Sequence, residues 1–321
     1  IDIHKETCRG WIMKAGIDLG GTTIKVGLLD DDGNLIKRII PTESENGYST
    51  VFQRIDECIY SMLKEQGMSI KDVEHVGMAS PGILSEDGMR IMFAANLGFI
   101  NVPAVEELKR YFSCPVSLKN DAAAAALGEH VYGAGQGFEN TITITIGTGI
   151  GGGIILGNQI VKGSFHSGGE LGHQIIVAGG RPCTCGQRGC MEQYCSATAL
   201  ITSAKEKASI YPDSRLKRLF AEKSINAQEV FAAAEQGDWP AIAAIDEFIR
   251  FLGIGVINII NILQPQAVII GGGVSGAGER LTEPLKAYVK TYMLFGEENF
   301  RTDIRCARLG NDAGMTGAAL L

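Results

Sequence analysis

A chain of 321 residues is longer than one hydrophobic core usually serves, so two domains are expected. With 45% hydrophobic and 20% charged residues, the composition argues against a disordered chain. The formal charge of −7 argues against a nucleic-acid backbone as partner, so an anionic ligand must be held locally, by backbone N–H groups or a metal.

In chain order, residues 1–12 hold no apolar stretch of signal-peptide length, and Met13 reads as a natural start preceded by an extension. Ala15–Leu19 and Ile24–Leu29 alternate as strands around the tip Gly20-Gly21-Thr22-Thr23, a hairpin pattern. Asp30 to Asn34 is a turn and Leu35 to Ile40 a third strand. Helical spacing of Val51, Ile55, Ile59, Met62 and Leu63 marks residues 50–67. Val73–Ala79 is a buried strand running into Ser80-Pro81-Gly82. Asn96 to Phe99 reads as a loop and Val102–Phe112 as a helix. Val116–Asp121 is a strand that delivers polar residues into the helix Ala122–Glu129.

A second hairpin follows, with strands Thr141–Ile146 and Ile154–Leu156 around Gly147 to Gly153. Its likeness to the first reads as a weak internal duplication. Residues 197–265 are mostly helical with a polar linker near Tyr211–Ser214, Ala267–Ile270 is a strand entering Gly271-Gly272-Gly273, and Gly310–Leu321 is a small-residue helix. Strands alternating with helices make the class α/β. The longest apolar run, Phe251–Leu263, carries Asn258 and Asn261 and is shorter than the ~20 residues of a membrane span.

Three glycine-rich turns follow apolar strands: Gly20-Gly21-Thr22, Gly147-Thr148-Gly149 and Gly271-Gly272-Gly273. Glycine lets successive N–H groups converge on phosphate oxygens, although each turn alone could simply punctuate a strand. Asp18, at the end of the first strand, is placed to hold Mg2+ against phosphates or to cap the turn. Asp121 begins a helix, where the dipole favours its ionised form, as a proton acceptor needs; by position alone a plain N-cap is the better reading. Asn120, Glu170, His173 and Glu192 add a set of groups able to bind vicinal hydroxyls. Reading Gly147 to Gly152 as a dinucleotide fingerprint fails, because that motif should open a helix and here a strand returns.

The segment from Gly168 to Glu192 is the most specific. His173, Cys183, Cys185 and Cys190 make a Cys3His set within eighteen residues, the donor chemistry of a closed structural Zn2+ site. Cys195 is an alternative ligand but reads better as a small buried residue. Of the eight cysteines, Cys8, Cys58, Cys114 and Cys306 are scattered singly, which fits a reduced, cytoplasmic setting better than a disulfide framework. Lys25 reads as a strand residue facing solvent. His4, His75, His130 and His166 show no partner pattern.

Together, Asp18-x-Gly-Gly-Thr22, Ser80-Pro81-Gly82, Asn96-Leu97-Gly98, Asn120-Asp121, Gly147-Thr148-Gly149-x-Gly151-Gly152, Glu170-Leu-Gly-His173, Cys183-x-Cys185-Gly-x-x-Gly-Cys190-x-Glu192 and Gly271-Gly-Gly273-Val-Ser275 resemble the ROK family of sugar kinases and repressors. The likeness runs from Met13 to the C-terminus and is strongest to the family's bacterial glucokinases. It implies a two-domain actin-like, ribonuclease-H-like ATPase fold with a zinc-binding insertion: a small α/β domain 13–120 completed by the helix 310–321, and a larger domain 121–309 with the zinc segment 169–192. It also implies ATP and Mg2+ in a cleft that closes on a hexose, phosphate loops at Gly20–Thr23 and Gly147–Gly149, and an adenosine loop at Gly271–Gly273. Asp121 matches the family's catalytic base, and Gly82, Asn96, Asn120, Glu170, His173 and Glu192 match its sugar-binding residues, with His173 serving zinc through one ring nitrogen and sugar through the other. The expected reaction is transfer of the γ-phosphoryl group to glucose O6, in a homodimer with no nucleic-acid or membrane partner. Family repressors carry a DNA-binding segment ahead of the first phosphate loop, and only seventeen residues precede Asp18 here. Phe99 departs from a frequent Trp, which leaves fructose, mannose, allose and N-acetylmannosamine as alternative acceptors.

Overall fold

The computed structural model describes residues 12–321 except 295, 297 and 299; the expected extension at 1–12 lies outside the described residues but for Ile12. Two units are present. The first contains the chain through Gly128 with Lys162–Ser167 and Asp312–Leu321, and the second contains Glu129–Val161 and Gly168–Asn311.

In the first unit, β1 (Met13–Leu19), β2 (Thr23–Leu29) and β3 (Leu35–Pro41) form an antiparallel meander. The amphipathic α1 (Tyr48–Glu65) turns Val51, Phe52, Ile55, Ile59 and Met62 into the core. β4 (Val73–Ser80) is followed by β5 (Ile83–Leu84), β6 (Ile91–Ala94), β7 (Phe99–Val102), α2 (Ala104–Lys109), β8 (Val116–Asn120) and α3 (Asp121–Tyr132). The main sheet runs β3-β2-β1-β4-β8, with β4 and β8 parallel to β1. This register brings Asp18, Ser80 and Asn120 to the carboxyl ends of three parallel strands, the edge where α/β sheets carry their ligands.

The small antiparallel sheet β5-β6-β7 corrects the sequence reading of residues 96–112. Phe99–Val102 is a strand and the helix starts only at Ala104. Pro103 is the reason: the residue before a proline is pushed out of the helical region, although Val102, Val105, Leu108 and Phe112 keep a helical spacing. Asn96 sits in a single 3-10 turn, Ala95–Leu97, rather than an irregular loop.

The second unit opens with β9 (Thr141–Ile146), β10 (Ile150–Leu156) and β11 (Gln159–Ile160). Its helices are α4 (Glu192–Cys195), α5 (Ala197–Ser209), α6 (Arg215–Glu222), α7 (Ala227–Glu235) and α8 (Trp239–Leu263). Then come β12 (Ala267–Gly271), α9 (Glu279–Tyr292) and β13 (Asp303–Cys306), before α10 (Ala313–Ala319) returns to the first unit. The sheet order β11-β10-β9-β12-β13 repeats the first sheet's plan: a three-stranded meander whose first strand is flanked by two further parallel strands. The duplicated device read in the sequence thus extends through all five strands.

Helices cover the two sheets differently. Against α10, Gly16 faces the Met315 carbonyl and Gly77 the Ala318 carbonyl; Gly317 of α10 faces the Ala124 carbonyl of α3, and none of the three has room for a Cβ. In the second unit the contact is made by side chains, with Ile142, Ile144, Ile146, Val268 and Ile270 sharing one core with Leu252, Val256 and Ile259 of α8. Among the described residues no helix is long and apolar enough to cross a membrane.

Candidate active site and metal centre

At the first hairpin, Asp18 and Lys25 are directly opposite in the antiparallel register, and the lysine Nζ stands 2.8 Å from Asp18 Oδ2. Lys25 is therefore an ion-pair partner, a correction to its reading as a solvent-facing strand residue; the cross-strand pairing was the missing information. Asp18 also lies beside the start of α10, where a Cβ on Gly314 would stand 3.0 Å from its Cγ. The tip itself is fastened by Gly20 N–H to Thr23 O at 3.0 Å and by the buried Thr42, whose hydroxyl donates to the Gly20 carbonyl at 2.7 Å. Thr42 carried no signal in the sequence. Asn96 abuts Gly21, with the position of a Cβ there only 3.0 Å from the Asn96 carbonyl. Gly82, at φ 90°, lies against the Phe93 carbonyl with no room for a side chain.

The start of α3 resolves the ambiguity between cap and functional acid in part. Asn120 acts as the cap, its Oδ1 accepting from Ala122 N–H at 2.9 Å and Ala123 N–H at 3.4 Å. Asp121 is the first helical residue, half-buried, and its Oδ1 accepts from Ala122 N–H at 2.8 Å.

In the second unit the glycine tip is shorter than the sequence indicated. Only residues 147–149 turn, while Gly151, Gly152 and Gly153 belong to β10. Gly152 is needed there because a Cβ would meet the Gly169 carbonyl and the Leu171 side chain; Gly172 likewise presses on the Ile150 carbonyl. Glycine in this run serves close approach rather than turning, a distinction the composition cannot make. The tip is held from outside by Ala197 N–H to Gly147 O at 2.9 Å and Thr198 Oγ1 to Thr148 O at 2.9 Å, two partners the sequence gave no reason to single out. The Gly271–Gly273 turn is adjacent, since Gly272, at φ 78°, packs on the Ile146 backbone. Ser275 Oγ donates to the Gly272 carbonyl at 2.7 Å.

The 168–173 segment thus lies on β10, and it carries His173 to the cysteines. The ligand atoms of His173, Cys183, Cys185 and Cys190 lie within 4.8 Å of one another. His173 Nδ1 is 3.7 Å from Cys183 Sγ, and Cys185 Sγ is 3.6 Å from Cys190 Sγ. A tetrahedral zinc with bonds of about 2.3 Å separates its sulfurs by about 3.8 Å, so donors and spacing fit the ion. The knuckle is shaped by Cys183 N–H to Gln187 O at 2.9 Å and by Gly189, at φ 87°, which presses on the Val177 carbonyl. Burial opposes ionisation of Cys183, but hydrogen bonds from the Cys185 backbone N–H and from the neighbouring ligands bring it down to about 7. Burial and the adjoining thiols push Cys190 up to about 12. A thiolate forms readily at Cys183, whereas Cys190 ionises only beside a cation, which is what a closed metal site supplies. Cys195 points elsewhere, its Sγ 4.0 Å from the Phe248 carbonyl in the core, and among the described residues every cysteine is a free thiol.

Two residues beyond Cys190, Glu192 reaches back to the hairpin. Its Oε2 accepts from Ile150 N–H at 2.9 Å and occupies the space a Cβ on Gly149 would need. Glu170 is exposed at the start of the short turn that ends in His173. The second unit thereby assembles Glu192, the 147–149 tip and the four ligands, while the first gathers Asp18, Gly20–Thr23, Gly82, Asn96, Asn120 and Asp121 around its own sheet edge.

Comparison with known proteins follows this layout. The ROK family matches residues 14–321. Glucokinase of Halalkalibacterium halodurans is 37% identical over 309 residues, covering 95% of this chain and 93% of that protein. A solved ROK family glucokinase from Streptomyces griseus, in complex with glucose and AMPPNP, is 34% identical with a TM-score of 0.78, covering 96% of this chain and 98% of that one. The xylose repressor of Bacillus subtilis is 30% identical over 302 residues, which span 94% of this chain and 74% of the repressor.

Proposed function

The chain belongs to the ROK family, and from that premise we propose that it is an ATP-dependent hexose kinase transferring the γ-phosphoryl group of ATP to O6 of glucose. The observation that carries this reading is the joining of Glu192 to both the 147–149 tip and the Cys3His cluster: one short segment ties a hydroxyl-binding acid to a phosphate-type turn and a metal knuckle. The fold assigned with it is the two-domain actin-like arrangement with a zinc-binding insertion.

In this reading Asp121 accepts the proton of the attacking hydroxyl; the Ala122 N–H bond to its Oδ1 and its place at the start of α3 orient the carboxylate. Gly82, Asn96, Asn120, Glu170, His173 and Glu192 bind the sugar hydroxyls. His173 turns Nδ1 towards Cys183, so a zinc held there would leave Nε2 for a sugar hydroxyl and would fix the tautomer. The tips Gly20–Thr23 and Gly147–Gly149 hold the phosphates through backbone N–H groups, and Gly271–Gly273 holds the adenosine. Asp18 would hold Mg2+, which would offset phosphate charge, and Lys25 adds a cation beside it. Zinc supplies no chemistry to the transfer and shapes the sugar side of the site.

ADP release measured with glucose, mannose, fructose, allose and N-acetylmannosamine tests the proposal. Glucose should give the highest kcat/KM, and prolonged chelation that strips zinc should lower it by at least about tenfold, the usual scale for a disturbed metal shell. Release of ADP with none of these sugars contradicts the kinase reading. It would favour a sugar-responsive regulator, the second reading that the likeness to the xylose repressor supports.

A further inference from the structure

Arg181 lies two residues before Cys183, and both sides of its backbone are engaged. Its N–H donates to the Tyr194 hydroxyl at 2.7 Å, and its carbonyl accepts from Gly189 N–H at 2.8 Å. The guanidinium lies over the Tyr194 ring, 4.7 Å from the centroid, and Nη1 donates to the Gln193 carbonyl at 2.9 Å. Gln193 directly follows Glu192, and its own Nε2 points to Cys183 Sγ at 3.6 Å. One side chain therefore grips the segment entering the cysteine knuckle and the short helix α4 leaving it.

What holds the guanidinium is Glu247 on α8, whose Oε1 stands 3.5 Å from Arg181 Nη2. Glu247 is itself braced from α5, accepting from Ser203 Oγ at 3.1 Å and from Lys207 Nζ. Burial opposes its ionisation, yet Lys207, Ser203 and Arg181 together keep the carboxyl below the usual range. The Arg181 and Glu247 side chains are 42% and 23% exposed, so solvent screens the ion pair and it alone adds little to stability. Its consequence must be sought in geometry. A planar fork with N–H groups fixed in two directions serves Gln193 and Glu247 in one set geometry, whereas a lysine's rotatable donors impose no such orientation.

We propose that Arg181, anchored by Glu247, is a positioning residue that fixes the cysteine knuckle and Glu192 as one piece, so that both metal retention and sugar binding depend on it. The sugar half rests on the kinase reading above; the metal half does not.

The test uses the zinc-loaded full chain with Arg181→Met, which keeps an unbranched stem but removes the guanidinium, Glu247→Gln, and the double variant. Zinc release to an excess chromogenic chelator should quicken about tenfold in Arg181→Met, the scale of an outer-shell contact to a metal site. Glu247→Gln should quicken it by about threefold, and the double variant should release no faster than Arg181→Met, because the two act through one link. Glucose KM should rise about fivefold in Arg181→Met with kcat within about twofold, as expected when binding geometry rather than the transfer step is disturbed. Release within about twofold of the parent in Glu247→Gln, or in a folded Arg181→Met, overturns the proposal whatever KM does, and so does a double variant whose effect is the product of the singles. Should the parent phosphorylate no sugar, the kinase reading fails and the zinc-release arm still decides this one.

Discussion

The two five-stranded sheets share a strand order and a glycine-tipped hairpin, yet they are loaded in opposite ways. The first tip stands beside a charged pair on its own strands, Asp18 and Lys25, and its sheet is covered at backbone distance by α10. The second tip has no such pair in its hairpin. Its carboxylate, Glu192, is brought in from the metal knuckle, and its sheet is covered by large aliphatic side chains. A common scaffold thus takes its carboxylate either from its own strands or from the segment that follows the cysteines. The penalty for a substitution should follow which of the two was used.

The largest effect should come from the first unit's acid. Asp121→Asn should lower kcat by about a thousandfold, within the range for a general base, while glucose affinity measured by calorimetry stays within about threefold. A variant retaining a tenth of parental kcat would place the base elsewhere.

Packing sharpens the contrast next. Gly77→Ala puts a methyl into the Ala318 carbonyl and should cost about 3 kcal/mol in denaturant unfolding. Gly271→Ala, whose Cβ would stand 3.5 Å from the Ala307 side chain in ordinary contact, should cost no more than about 0.5 kcal/mol. Equal losses would mean that the two sheets are not covered differently.

The smallest effect concerns the turns. Asp30 caps the β2–β3 turn, its Oδ1 accepting from Asn34 N–H at 2.8 Å and its Oδ2 from Asn34 Nδ2 at 2.8 Å. Burial opposes its ionisation, but these bonds hold its carboxyl below the usual carboxylate range. A lowered folded pKa contributes stability above the unfolded value near 3.9 and loses it as pH falls below that. Asp30→Asn should therefore cost about 1 kcal/mol at pH 7 and progressively less towards pH 3. The corresponding β10–β11 turn uses the neutral Asn140 Oδ1 on Gly157 N–H at 2.8 Å, so Asn140→Ala should show no such pH dependence. A penalty for Asp30→Asn that is flat with pH would remove this distinction.

Much of this organisation was legible in the sequence, because period-two and period-3.6 patterns report burial directly. The hairpins, α1, the mostly helical character of 197–265 and the His173–Cys190 cluster follow from such local signals, while the division into four helices does not. What escaped depends on contacts between distant segments. Nothing near Lys25 announces Asp18 as its partner, and nothing in Thr42 or Thr198 announces a glycine tip. Gly151 to Gly153 read as a turn because a glycine that makes room for Leu171 is indistinguishable, in one sequence, from a glycine that bends. Residues 96–112 failed for a local reason, Pro103, whose effect on Val102 outweighed a helical spacing.

A crystal structure with glucose and a non-hydrolysable ATP analogue decides whether Asp121 is the base. It should place a carboxylate oxygen of Asp121 about 2.6–3.2 Å from the glucose 6-hydroxyl, the range in which a base can take that proton. A bound sugar with its 6-hydroxyl beyond hydrogen-bond reach of Asp121, directly or through one water, would contradict it.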